Sequence, residues 1–268
     1  MKNINEMYFR EDYRWWDSGG DNTNALLRCF INPIRFAYFK RVVDGEVRPR
    51  RCPRKILDVG SGGGFLAEEF ARIEFNVTGI EPSGRAVLAA RKHAAEGDLR
   101  VTYLEGYGEA LPFKGDSFDF VACCDVLEHV DDVAQVLREV FRVLRDGGVF
   151  FYDTINRTLF SKLVVIKVAQ DWSCTAWEEP HTHDWRKFIK PAELTAAMQR
   201  CGLVNQEARG ISSDAGLLSG LVNVRRRAKG RISRYEMGAG LRLHESDDMS
   251  ASYMGYAIKE RRDGRGGV

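Results

Sequence analysis

The chain has 268 residues, with 40 Lys and Arg against 38 Asp and Glu, a net charge of +2 that excludes a molecule gathering polyanions over its whole surface. Its six cysteines, at 29, 52, 123, 124, 174 and 201, form no Cys-x-x-Cys pair or metal-finger spacing, which suits a reducing cytoplasm. Lys2, Glu6, Arg10, Glu11 and Asp12 argue against a cleaved leader, and no stretch reaches the roughly 18 apolar residues of a membrane span, so only peripheral membrane contact stays open.

Residues 1–50 are aromatic-rich and helical in spacing, and are expected to form an N-terminal helical flap. Residues 51–260 alternate in period and read as one α/β domain. Strands are expected at 55–60, 76–81, 100–104, 118–124 and 148–154, and helices at 64–73, 83–96 and 132–145. The last of these helices carries the stripe Val133, Val136, Leu137, Val140, Phe141 and Leu144, and Gly147-Gly148 is expected to end it. A helix over 191–201, opened by Pro191 and closed by Gly202, is followed by strands near 203–211 and 251–259. Alternation of this kind predicts a doubly wound parallel sheet. Cys123 and Cys124 fall next to each other on an apolar strand, one expected to face inward and the other outward. The tail 261–268 is expected to be disordered.

The first strand runs into Ile56-Leu-Asp-Val-Gly-Ser-Gly-Gly-Gly64, a strand, a tight turn and the start of a helix. That is where open α/β sheets hold nucleotide-like ligands. Glycines at 60, 62 and 64 give G-x-G-x-G, whereas a dinucleotide fingerprint needs glycine at 65, where Phe65 stands. Asp58, at the strand's end, would repel a pyrophosphate but suits a cationic amino group. Glu81 closes the second strand, 21 residues after Gly60, the spacing at which a carboxylate reaches ribose hydroxyls. A helix-capping role for Glu81, ahead of Pro82-Ser83, is the plainer alternative. The ligand implied has an ammonium and a ribose but no phosphate, as S-adenosylmethionine does and NAD does not.

Asp58–Gly64, Glu81, Ala110-Leu-Pro-Phe113 and Phe118-Asp119 resemble the class I S-adenosylmethionine methyltransferases. More narrowly, five stretches resemble the ubiquinone-biosynthesis O-methyltransferases, which methylate catechol-type hydroxyls on polyprenyl rings. These are Trp15-Trp16-Asp17, Asn32-Pro-Ile-Arg35, Asp125-Val-Leu-Glu-His129, Asn156-Arg-Thr158 and the run from Thr182 to Leu194. The resemblance implies a Rossmann-like, seven-stranded sheet with its last strand antiparallel, and cofactor contacts from Arg35, Gly60, Glu81 and Cys124. Arg35 would meet the cofactor's carboxylate. The chain departs from the pattern at Tyr107, where many such enzymes carry an aspartate near the adenine, which moves that contact to backbone at Gly108 and Glu109. It also departs over 212–250, which is longer than the family segment and is expected to shape the substrate mouth.

Methyl transfer to a phenol needs the hydroxyl aligned, water excluded and a proton removed. Asp125, Glu128 and His129, at i, i+3 and i+4 past the fourth strand, would share one face of a helical turn. Three readings stay open for them. His129 is a general base oriented by Glu128; or all three hold magnesium or zinc, which the resemblance favours; or the acids merely cap the turn. His183, beside Asp184 on a loop, is a secondary catalytic candidate.

Residues 159–168 are apolar on nearly every face and follow the fifth strand. They read equally as a buried lid or, as the resemblance implies, as a lid touching the bilayer, with Trp172 and Trp177 as interfacial anchors. The run Arg225–Arg231 is a solvated helix face or a patch for anionic lipid or an acidic substrate. The function expected is O-methylation of a phenol or catechol on a quinone precursor. The alternatives are an O- or N-methyltransferase with a soluble acceptor and a non-catalytic cofactor-binding module. Nucleic acid is not an expected partner, since there is no Asn/Asp-Pro-Pro-Tyr/Phe, no Pro-Cys nucleophile and no interleaved basic and aromatic surface.

Overall fold

A computed structural model describes residues 15–16, 24–45, 54–178 and 181–260. Asp17, Cys52, the first part of the flap and the 261–268 tail lie outside the described residues. The sheet has eight strands in the order β3-β2-β1-β4-β5-β8-β6-β7. Strands β1 (Lys55–Val59), β2 (Asn76–Glu81), β3 (Val101–Glu105), β4 (Phe118–Cys124) and β5 (Leu144–Ile155) pair in parallel. Helices α2 (Phe65–Arg72), α3 (Gly84–Glu96) and α4 (Val133–Val143) supply crossovers. Strand order turns back between β1 and β4, which opens a crevice at the carboxyl ends of those strands.

Strand β8 (Ser252–Lys259) runs antiparallel between β5 and β6 (Leu203–Ser213). Those seven strands match the expected sheet, and the structure adds an eighth. The end of β6 continues past residue 211 and pairs antiparallel with an edge strand β7 (Leu243–Ser246), from Gly210↔Ser246 to Ser213↔Leu243. Residues 212–250 therefore extend the sheet as well as decorating it. They also carry α7 (Leu217–Ala228) and α8 (Arg234–Leu241).

Both faces of the sheet are covered, so its central strands are apolar throughout rather than alternating. Phe120, Ala122, Cys124 and Phe151 pack on one side with Phe70 and Phe75. Val121, Cys123 and Phe150 pack on the other with Val136, Leu137 and Val140 of α4 and Leu194 and Met198 of α6 (Pro191–Arg200). Cys123 and Cys124 do point to opposite faces, yet both are buried, which corrects the expectation that one faces outward. Helix α4 is capped by Asp132, which accepts from the Gln135 amide at 2.9 Å. It ends at Val143 rather than 145, because Leu144 already pairs with Phe118 as the first residue of β5.

The described part of the flap is core structure. Helix α1 (Asn32–Gly45) buries Tyr38 and Phe39 completely, and the Phe39 ring stacks on Phe151 at 4.5 Å. Arg41 of α1 also meets Glu245 of β7 at 2.7 Å. Beyond β5, a short α5 (Leu159–Ser161), opened by a capping box from Thr158, runs directly into a π-wound helix over Lys162–Asp171.

Candidate active site

The glycine loop is held by backbone first. The amides of Gly60 and Ser61 both donate to the Ile80 carbonyl, at 2.8 and 3.1 Å, tying the loop to the end of β2. Gly60, Gly62 and Gly64 all have positive φ. A Cβ on Gly60 would stand 2.2 Å from Val126 Cγ2, so the loop is pressed against the turn after β4. The indole of Trp15 lies over Gly62 and Gly63, where an added Cβ would come within 2.7 Å of it. Trp16 Nε1 donates to the Gly63 carbonyl at 2.6 Å, and its ring stacks on His93 at 3.4 Å.

The loop forms one wall of a cleft that reaches from Trp15 and Arg35 past Asp58 and Glu81 to Gly108, Cys124 and His129. Glu81 accepts from the Gly62 amide at 3.1 Å and from Ser83 at 3.0 Å. It thus braces the loop and the start of α3 while facing the cleft, so the capping role and the ligand-facing role coexist. Burial raises its pKa, against the pull of those two amides. Asp58 is 3 % exposed, and its Oδ2 has no hydrogen-bond partner. Burial, helped by Glu81, pushes its pKa up to about 7.

Arg35 is the cation facing these acids across the cleft. It is 3 % exposed and donates through Nη2 to Asp125 at 2.6 Å and to Asp153 at 2.9 Å. Burial opposes its charge, but the two carboxylates outweigh burial and raise its pKa well above the usual value. Burial would likewise raise Asp125, yet the guanidinium holds it below the ordinary carboxylate range. Burial drives Asp153 the other way, well above that range in spite of Arg35.

The segment after β4 is a turn rather than a helix. Asp125 has φ +54°, and the His129 amide donates to the Val126 carbonyl at 2.8 Å. The three side chains consequently diverge. Asp125 faces the cleft, with 38 % of its side chain open, and bonds Arg35. Glu128 turns inward, 2 % exposed, and its Oε2 accepts from the Thr154 hydroxyl at 2.8 Å. Burial, then the charge of Asp125, lifts Glu128 to about 8. His129 lines the cleft, with its ring 5.3 Å from that of His183. Burial lowers His129 to about 3 and His183 to about 4, so two neutral imidazoles sit side by side. Gln170 of the π-wound helix fixes the second, accepting from the His183 amide at 2.8 Å and donating to its carbonyl at 3.3 Å.

A family profile described as "Methyltransferase domain" matches residues 57–152. The ubiquinone biosynthesis O-methyltransferase of Methylocella silvestris is 38 % identical over 211 residues, covering 75 % of this chain and 80 % of that protein. The protein of the same name from Caulobacter vibrioides is 38 % identical over 189 residues, covering 68 % and 73 %. The chain belongs to the ubiquinone biosynthesis O-methyltransferase family. Among solved structures, a Thermotoga maritima S-adenosylmethionine-dependent methyltransferase, described as a possible histamine N-methyltransferase, superposes with a TM-score of 0.58. It is 19 % identical and covers 88 % of this chain and 93 % of its own. A putative methyltransferase from Bacillus halodurans gives 0.56 at 17 % identity, covering 84 % and 98 %. At those identities the likeness establishes the fold.

The protein is thus an S-adenosylmethionine-dependent methyltransferase, and its cleft suits that cofactor. Asp58 offers a buried carboxylate oxygen without a partner to an ammonium, and the glycines leave room that Cβ atoms would fill. Arg35, Gly60, Gly62, Glu81, Gly108, Glu109 and Cys124 line the same cleft, as expected from sequence. Burial raises the Cys124 thiol well above its usual pKa, so it contributes shape rather than a thiolate. Gly64 lies outside the lining. A Cβ there would meet Tyr103 Oη at 2.3 Å, so its glycine serves the packing of α2 on β3.

The metal reading of Asp125, Glu128 and His129 does not fit these residues. Among the described residues no three His, Cys, Asp or Glu side chains are grouped as a cation requires. The reason is the turn: helical spacing would align the trio, but the left-handed residue at Asp125 sends Glu128 into the core. For the same reason Glu128 does not orient His129. Trp15, Asn24, Leu27 and Tyr107 line the cleft and were absent from the sequence-derived contacts. The close approach of Trp15 to Gly62 and Gly63 is a tertiary fact that spacing along the chain does not carry.

Proposed function

We propose that this methyltransferase alkylates a phenolic or catechol hydroxyl on a quinone-precursor ring, with His129 receiving the phenol proton. The observation that carries the reading is a neutral imidazole lining the cofactor cleft beside Asp125. The names of the two relatives described above, both ubiquinone biosynthesis O-methyltransferases, support it. The bound cofactor supplies an electrophilic methyl on a sulfonium. Asp58 would hold the cofactor's ammonium, Glu81 its ribose and Arg35 its carboxylate, and so fix its orientation toward the acceptor side. In the free protein Arg35 is bonded to Asp125 and Asp153, and the cofactor's carboxylate would share it with them. His129 is a weak base while the cleft is empty. As negative charge builds on the attacking oxygen, that charge and Asp125 stabilise the imidazolium that forms. His183, 5.3 Å away and also neutral, keeps the acceptor side free of a competing cation.

The lid supports an acceptor with an apolar tail. Leu159 is 80 % exposed and Leu163 and Trp172 are about half exposed, so the segment is not a buried core helix. We extend the proposal to peripheral contact between residues 159–177 and a membrane surface, through which such a tail would enter. No described helix is long and apolar enough to cross a membrane.

The test is a panel of catechols, polyprenyl phenols, soluble phenols and amines incubated with labelled S-adenosylmethionine. Label on the oxygen of a tailed phenol is the expected result. Label confined to amines would overturn the reading, and a preference for untailed phenols would favour the soluble acceptor and remove the role given to the lid.

A further inference from the structure

Helix α7 presents the wrong residues to solvent for an ordinary surface helix. Its inner face, Gly220, Asn223 and Val224, packs on α8, where a Cβ on Gly240 would come within 2.5 Å of Asn223. Its outer face is apolar over the first half. Leu218 is 82 % exposed, Val222 56 % and Leu221 45 %. Positions 218, 222, 225 and 229 follow one helical stripe, so the apolar residues continue directly into Arg225 and Lys229, with Arg226 alongside, all exposed. Between Asp214 and Glu236 the chain holds Arg225, Arg226, Arg227, Lys229, Arg231 and Arg234 and no acid, although the protein as a whole carries only +2. A block of cations without acids therefore sits at one end of an exposed apolar stripe.

We propose that the outer face of α7 docks on an anionic lipid surface, with Leu218, Leu221 and Val222 entering the interface and Arg225, Arg226 and Lys229 meeting the headgroups. Charge and apolarity on one helix face argue for this occupant. A nucleic acid would engage the cations and leave the leucines in water, and a second copy of this chain would bring like charges together. The α7–α8 pair is anchored to neighbouring elements. Arg234 of α8 donates to the Trp177 carbonyl at 2.8 Å, and Tyr235 packs on Phe30 at 5.2 Å, which ties the α7–α8 pair to the lid segment and to the chain entering α1. The proposal rests on α7 alone and stands whatever the methyl acceptor is.

The experiment is co-sedimentation of the full chain with vesicles of phosphatidylcholine, with and without phosphatidylglycerol, at low and high salt. Binding is expected with the anionic vesicles and is expected to weaken as salt is raised. Replacing Arg225, Arg226 and Lys229 together by Gln should lower partitioning about a hundredfold. Leu218→Ser with Leu221→Ser and Val222→Ser should abolish it. Cofactor affinity and melting temperature should stay as in the parent, since α7 lies outside the cleft lining. If the triple serine variant does not fold, Leu218→Asp at the most exposed position makes the same test. Leu159→Ser with Leu163→Ser separates the lid from α7. Equal binding to neutral and anionic vesicles, or unchanged binding by the α7 variants, would overturn the proposal. So would a dimer that the serine variant dissociates while vesicle binding stays absent.

Discussion

The two walls of the cleft are built from different materials. The cofactor wall consists of strand ends, a glycine loop and buried carboxylates, with Arg35 lying across from Asp58 and Glu81. The opposite wall, which the proposed reaction gives to the acceptor, is the turn bearing Asp125 and His129, with the His183 ring 5.3 Å from that of His129. Asp58 and His129 stand on opposite walls, and Arg35 reaches Asp125 at 2.6 Å across the cleft between them. The difference teaches that burial alone does not set the electrostatics of a site. Burial raises Asp58 and lowers His129, and in both cases the neutral form results. In the proposed reaction a cofactor's ammonium would favour the Asp58 carboxylate, and a developing phenolate would favour the His129 imidazolium.

The sharpest way to break the comparison is to destroy the cofactor wall. Gly60→Arg places a side chain where Val126 already stands, at a φ of +72°. It should remove measurable cofactor binding in calorimetry, and retained micromolar affinity would show that the loop is not the cofactor's seat. The acceptor wall is tested next by His129→Ala. Turnover should fall by about 10²- to 10⁴-fold, the usual contribution of a positioned base, while cofactor affinity stays within a few-fold. A variant with parental turnover would remove His129 from the chemistry.

How much of each wall is legible in the sequence follows from the same division. Asp58, Gly60, Gly62 and Glu81 lie on strand ends and a short loop, where spacing along the chain fixes position in space, and they line the cleft as read. Asp125, Glu128 and His129 lie on a turn whose course depends on one left-handed residue and on the neighbours Arg35 and Thr154, 90 and 26 residues distant. Helical spacing misplaces that trio because no helix is there. The sheet shows the same pattern. Seven strands follow from alternating periods, whereas β7 is four half-buried residues with little pattern of their own, and its pairing with β6 makes it a strand.

A finer test uses pH on the cofactor wall. Asp58 holds its proton up to about pH 7 in the free protein, and a cationic ligand binds its carboxylate form. Below that pH, binding must release a proton, so affinity for S-adenosylmethionine should weaken as pH falls, approaching tenfold per pH unit. Above it, affinity should level off. In Asp58→Asn the affinity should be lower by about tenfold to a hundredfold and nearly flat across the same range, since a neutral amide pairs less strongly with an ammonium. A parental pH profile in that variant would assign the proton elsewhere.

The smallest expected effect lies behind the acceptor wall. Glu128 keeps its proton in the fold up to about pH 8, whereas the unfolded chain gives it up near the ordinary glutamate value of 4.5. Between those values the folded state binds more protons than the unfolded state, so stability falls as pH rises. The contribution is fully present below pH 4.5 and lost once pH has passed about 8. Glu128→Gln keeps a polar partner for the Thr154 hydroxyl and removes the ionisation. It should match the parent at pH 4 to 4.5 and melt several degrees higher near pH 9, a difference of on the order of a few kcal/mol. The two melting curves should therefore separate only as pH rises. If they separate instead at low pH, the Glu128 carboxylate is ionised in the fold and a second negative charge lies behind Asp125.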